Sequence, residues 1–178
     1  MAKQIELDEF EAIYHRYKNM VLKLAYLTLG NAQDAEDAMQ EVFIKVYRAW
    51  DSYNPERGHL NAWLHRITIN QCISQRRRKS LPSFSLERSQ QEGLDLPDTS
   101  HQLPERLLIK KEESQKIHEA MSLLDMKHRA IIALRYFDNL SYNEIAQILE
   151  IPLGTVKSRI NTAIKTLRRE LVEKEVAP

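Results

Sequence analysis

Two runs of polar side chains in this 178-residue chain carry the atoms that nucleic-acid recognition needs. In the first, Arg66, Asn70 and Arg77 recur at helical spacing, with Ser74 at the margin. The surrounding segment, from about Leu60 to Lys79, holds Arg66, Arg76, Arg77, Arg78 and Lys79 and no acidic residue. Cations neutralise phosphates, and an asparagine amide can both donate to and accept from a base edge. A basic helix end that complements the macrodipole would account for Arg76 to Lys79. It would not account for Arg66 and Asn70. In the second run, Lys157, Ser158, Asn161, Thr162 and Lys165 point away from an apolar stripe of Val156, Ile160, Ala163, Ile164, Leu167 and Leu171. Five basic residues and no acidic one lie between Leu153 and Arg169. That is the electrostatic footprint of a helix lying against phosphates. A helical hairpin used only for packing is the alternative.

Other chemistries find little support. An enzyme acting on DNA, such as a recombinase or nuclease, needs clustered carboxylates or an activated nucleophile, and the acids here fall on exposed helical faces. The single cysteine, Cys72, excludes an intramolecular disulfide and reads as a helix-packing residue in a reducing compartment. His65 with Cys72 is too little for a zinc site, so neither metal nor cofactor is expected. Lys3, Glu6, Asp8 and Glu9 interrupt any signal-peptide core, and Met20 to Leu29 is too short to cross a bilayer, so a cytoplasmic protein is expected. The formal net charge of +1 says nothing about partners.

The elements that must position these residues are helices. Hydrophobic residues make up 43% of the chain, with only 4 Gly and 6 Pro, which favours helices over turn-rich strands. The expected fold is all-α: two small helical domains, residues 1–79 and 105–178, joined by a linker over 80–104. The linker, "SLPSFSLERSQQEGLDLPDTSHQLP", is rich in Pro, Ser, Gln and acids without sustained periodicity, and reads as extended and flexible. In the second domain, "SYNEIAQILEIPLGTVKSRI" reads as a helix-turn-helix. Ser141 and Glu144 form a capping box, Ile145, Ile148 and Leu149 face inward, Ala146 allows close approach, and Pro152 stands near the start of the second helix. In the first domain Asn31 caps an amphipathic helix, with Asp34 three residues on. Its core face is Met39, Val42, Phe43, Val46 and Trp50. The opposite face, Asp37, Gln40, Glu41, Ile44 and Arg48, is either solvated or a docking surface, and Ile44 among the acids leaves both open. "DSYNPERGHL", Asp51 to Leu60, is a loop with fixed turns at the mouth of the basic helix. It could hold a base swung out of the stack.

The segments "DAEDAMQEVFIKVYRAW", "NAWLHRITINQCISQRRR" and "HRAIIALRYFDNLSYNEIAQILEIPLGTVKSRI" resemble the extracytoplasmic-function sigma factors, promoter-specificity subunits of bacterial RNA polymerase. The resemblance covers nearly the whole chain. It implies a sigma-2-like front domain that docks on core RNA polymerase through Asp34, Asp37, Gln40, Glu41 and Ile44. Tyr53, Asn54, Arg66, Asn70, Ser74 and Arg77 would recognise and melt the −10 element. A sigma-4-like rear domain would set Thr155, Lys157, Ser158, Arg159, Asn161, Thr162 and Lys165 against the −35 element, Arg159 on phosphate. Promoter DNA and an anti-sigma factor are the other partners implied. A conventional helix-turn-helix regulator acting without polymerase is the alternative function. It leaves the acidic face with Ile44 and the second basic helix unexplained. Glu150 stands at the corner where many relatives have glycine, so a left-handed turn there would have to hold a side chain.

Overall fold

The computed structural model describes residues 5–80 and 115–176, with the backbone alone for Arg57 and residues 170–176. Most of the expected linker and residues 105–114 fall outside the described residues, as does the Leu171 side chain. The described elements are helices and turns, with no strand among them, as the composition predicts. They are α1 (Leu7–Leu29), α2 (Ala32–Ala49), short 3-10 turns at Trp50–Ser52 and Pro55–Arg57, and α3 (Leu60–Ser80). α4, of which residues 115–122 are described, precedes α5 (Met126–Ile132), a π-helical turn (Ala133–Phe137), α6 (Tyr142–Leu149) and α7 (Leu153–Val176).

Local sequence sets the ends of these helices. α1 stops at Gly30, whose φ of 88° is left-handed and whose N–H bonds Tyr26 O at 2.8 Å. A Cβ at Gly30 would also lie 2.6 Å from a guanidinium nitrogen of Arg129, which would have to swing aside, but it is the left-handed φ that favours glycine here. α2 begins at Asn31, whose side-chain oxygen accepts from the Asp34 N–H at 2.8 Å. α6 begins with the predicted capping box: Ser141 Oγ accepts from the Glu144 N–H at 3.2 Å, and Glu144 Oε2 accepts from the Ser141 N–H at 2.7 Å. It ends at Glu150, φ 53° and ψ 44°, the left-handed corner in which this chain carries a side chain.

Helices α1 to α3 enclose one apolar cluster of Ile5, Ile13, Val21, Val42, Phe43, Val46, Trp50 and Leu64. Tyr14 and Phe10 set their rings edge-on to Phe43, at 4.8 and 6.4 Å. Small residues let α1 and α2 approach closely where Ala25, Ala35 and Ala38 meet Cys72. The core of the rear module, with Ile131, Leu134, Ile145, Val156 and Ile160 at its centre, does not close on itself. It continues into Leu24 and Leu27 of α1 and Ile69 of α3, with Ala62 packed against it. Fully burying an Ile or Leu contributes roughly 1.5–3 kcal/mol, so this shared cluster holds the two modules against each other.

Candidate nucleic-acid interface

The rear face is built by the corner between α6 and α7. Ser141 starts α6, and Ile145 and Ile148 turn it inward. After Glu150, the Ile151 N–H bonds Ala146 O at 3.1 Å, and Pro152 O accepts from the Thr155 and Val156 N–H groups at 2.9 and 3.1 Å. Pro152 therefore stands just before the helix, where its missing N–H goes unneeded. Val156, Ile160 and Ala163 are buried along α7. Lys157, Ser158, Asn161, Thr162 and Lys165 are exposed, while Thr155 and Arg159 are half-buried at the flank. The Ser158 hydroxyl is 3.1 Å from Thr155 O, to which it donates.

The front face lies on α3. Leu60, Trp63, Leu64 and Ile67 pack inward, as their spacing predicts. Arg66, Asn70 and Arg77 are exposed and Ser74 is half-buried. At the mouth of this helix Tyr53 lies 5.4 Å from the Trp50 ring and 5.3 Å from Trp63, so all three aromatics form one cluster. Asn54 is exposed and its side-chain oxygen accepts from the Glu56 N–H at 2.9 Å. The loop is thus braced on both sides.

On α2, Asp37, Gln40, Glu41 and Ile44 are exposed on one face, Ile44 at 42%. Asp34 is placed differently. It is buried, its carboxylate accepting from Asn31 Nδ2 at 2.9 Å and pairing with Lys79, while its backbone oxygen accepts from Gln75 at 3.0 Å. Burial pushes this carboxyl up. The hydrogen bonds of Asn31 and Lys79, the Lys79 charge and Gln75 outweigh that, and the group sits below its ordinary value. Asp34 ties the start of α2 to the end of α3 beneath the exposed face.

Three features escaped sequence reasoning. Ala62, His65 and Ile69 form a second inward face of α3, directed at the rear module. The signal was available, since α3 carries apolar residues on more than one side. His65 is 1% exposed; its Nδ1 lies 2.7 Å from Asn61 O and its Nε2 lies 2.9 Å from Asp138 Oδ2. Asn61 O and the Asp138 carboxylate thus engage the two ring nitrogens and fix the imidazole between α3 and the turn that precedes α6. Arg66 pairs with Glu150 across the same junction. On the far side, Tyr26 and His118 share a 2.8 Å hydrogen bond, and Arg129 donates to Leu29 O at 3.3 Å and Leu124 O at 2.8 Å. Cys72 is fully buried, which pushes its thiol up to about 12. Among the described residues no cluster of His, Cys, Asp or Glu could hold a metal ion, and no helix is long and apolar enough to cross a membrane.

Residues 13–81 match the family described as Sigma-70 region 2, and residues 120–169 match Sigma-70, region 4. The chain is 38% identical over 174 residues to the ECF RNA polymerase sigma factor SigW of Bacillus subtilis (strain 168), covering 95% of this chain and 92% of that protein. It is 34% identical over 177 residues to the ECF RNA polymerase sigma-E factor of Escherichia coli (strain K12), covering 95% and 87%. Among solved structures, its fold is similar to the sigma factor RpoE of Bartonella quintana, solved with the anti-sigma factor NepR. The TM-score is 0.68 at 23% identity, over 97% of this chain and all of that one, at 100%. CnrH, solved with the cytosolic domain of CnrY, gives a TM-score of 0.64 at 21% identity, over 94% and 90%.

Proposed function

The chain belongs to the extracytoplasmic-function sigma factors, alternative specificity subunits of RNA polymerase, and from that premise we propose which of its residues make each contact. Residues 1–79 are the sigma-2-like domain and 105–178 the sigma-4-like domain, with 80–104 between them. The exposed α2 face of Asp37, Gln40, Glu41 and Ile44 docks on core RNA polymerase, and Asp34 positions that face from below. On α3, Arg66, Asn70, Ser74 and Arg77 meet the −10 element, with Tyr53 and Asn54 at the loop that receives a base leaving the stack. On α7, Lys157, Ser158, Asn161, Thr162 and Lys165 meet the −35 element in the major groove. Thr155 and Arg159, at the flank, contact phosphate. The protein acts in the cytoplasm as an initiation factor with no chemical step of its own. An anti-sigma factor completes the partners that the family suggests.

The observation that carries this reading is the presence of two outward faces free of acidic residues, on α3 and on α7 from Leu153 to Arg169, in a chain whose α2 presents an acidic one. Each DNA face alone makes few contacts. Held together on polymerase, the second contact benefits from effective concentration, so recognition depends on two elements at a set spacing. Run-off transcription with core RNA polymerase over a library of promoter fragments tests the assignment. Selective transcripts should appear with the protein and vanish when Asn70 and Lys165 are changed to Ala. Glu41→Lys with Ile44→Ala should abolish capture of core. Tight promoter binding by the free protein, with no stimulation of core, would instead favour a conventional regulator.

A further inference from the structure

The segments flanking α6 both reach α3. Ahead of it, Asp138 accepts from the buried His65, and at its C-terminal end Glu150 pairs with Arg66. Asp138 follows directly on the π-helical turn, its N–H bonding Ala133 O at 3.2 Å, and such turns are frequent at functional sites. The backbone gives a second, independent sign. Asn139 and Glu150, with φ of 56° and 53°, are the non-glycine residues of positive φ among those described. One neighbours the first acid and the other is the second. Asn adopts left-handed backbone readily, but at Glu150 it is uncommon and is retained where the surroundings hold it there, as at clamps and switches. Glycine at 150 would relieve the turn but would bring no carboxylate to Arg66.

We propose that Asp138 and Glu150 are an intramolecular latch: in the free protein Glu150 occupies the Arg66 guanidinium that a phosphate occupies in the promoter complex, while Asp138, bonded to the buried His65, keeps the α6 corner seated on α3. The inference rests on the proposed role of α3 in DNA contact. Arg66 cannot pair with Glu150 and lie along a phosphate at once, and the same contacts hold α6 across the first half of α3. Opening therefore exchanges the Glu150 carboxylate for a phosphate on Arg66 once polymerase separates the modules. Free protein stays closed and does not occupy DNA unproductively.

The latch is tested on the full chain. The double variant Asp138→Asn with Glu150→Gln keeps the shape of both side chains and removes both charges. It is compared with Glu11→Gln plus Glu36→Gln, which makes the same charge change on exposed acids of the front module. Small-angle scattering reads the radius of gyration, and fluorescence anisotropy reads affinity for a labelled duplex of random sequence. The latch variant should expand and bind on the order of 10-fold more tightly than the charge-matched control, from the loss of one buried and one exposed charged contact. Equal dimensions and equal affinity in the two variants would overturn the proposal and leave the shared apolar core as what keeps the modules closed. Arg77→Ala in the same titration separates the two levels. If it weakens duplex binding while the latch variant matches the control, the latch alone fails. If it has no effect, the reading of α3 fails with it. Should the double variant not fold, Glu150→Gly removes one carboxylate while relaxing its backbone, and the same expansion is expected from it.

Discussion

Replacing Asp34 by alanine distinguishes a residue that docks from one that positions. Its carboxylate is buried, bonded to the Asn31 amide at 2.9 Å and paired with Lys79. A hydrogen bond to a charged group contributes about 1.5–3 kcal/mol, and an acid in the first turn of a helix adds about 0.3–1 kcal/mol. The loss is discounted because the Lys79 side chain is 56% exposed and regains water once its partner has gone. A net destabilisation of about 2 kcal/mol remains, which for a chain of this length lowers Tm by roughly 4–8 °C. Asp37→Ala and Glu41→Ala, at exposed positions, should stay within about 0.5 kcal/mol of the parent yet weaken core polymerase binding. Thermal unfolding followed by circular dichroism, with core affinity measured well below the transition, gives both axes. The pH dependence adds a sign. A carboxyl held below its unfolded-state value of roughly 4 contributes stability that is present above that value and lost as pH falls through the folded one. Asp34→Asn should therefore flatten the acid limb of Tm against pH. An Asp34→Ala protein with unchanged Tm and core affinity reduced as in Glu41→Ala would refute the argument, because Asp34 would then be a docking contact itself.

Ser141→Ala removes the cap of α6 and should cost about 1 kcal/mol, seen in thermal unfolding and as faster amide exchange in the first turn of α6. Because burial pushes the Cys72 thiol up to about 12, it should resist a thiol reagent at pH 8 in the native protein and react at once in denaturant. Prompt native labelling would mean that the contact among α1, α2 and α3 opens readily. Lys157→Ala and Lys165→Ala should each lower the magnitude of the slope of log affinity against log salt by about 1, for duplex bound by the polymerase complex. An unchanged slope would remove that lysine from the phosphate contacts.

The helices and their caps were legible because their causes are local. The Ser141–Glu144 box and the Asn31 cap span three residues, and the inner stripes of α2, α3 and α7 recur every three or four. The outward faces of α3 and α7 were legible for a related reason. A charged side chain without an opposite charge nearby in sequence is placed outside by its desolvation cost, whatever the rest of the chain does. Glu150 was legible as an oddity of the corner, though not in its use.

Position relative to a second helix was not legible. Asp34 looked like one more acid of the α2 face until the end of α3 came to lie against it, bringing a lysine 45 residues away. His65 looked like a lone histidine with no metal partners, and its neighbour Asp138 is 73 residues distant. The link from Arg66 to Glu150 spans 84. Periodicity shows that a helix buries a face but not against what, since apolar burial is non-directional and many partners satisfy it. The sequence by itself determined the helices, their caps and the two cation-bearing faces. Only the tertiary structure decided that the rear module closes over α3, because that depends on long-range packing of one shared core.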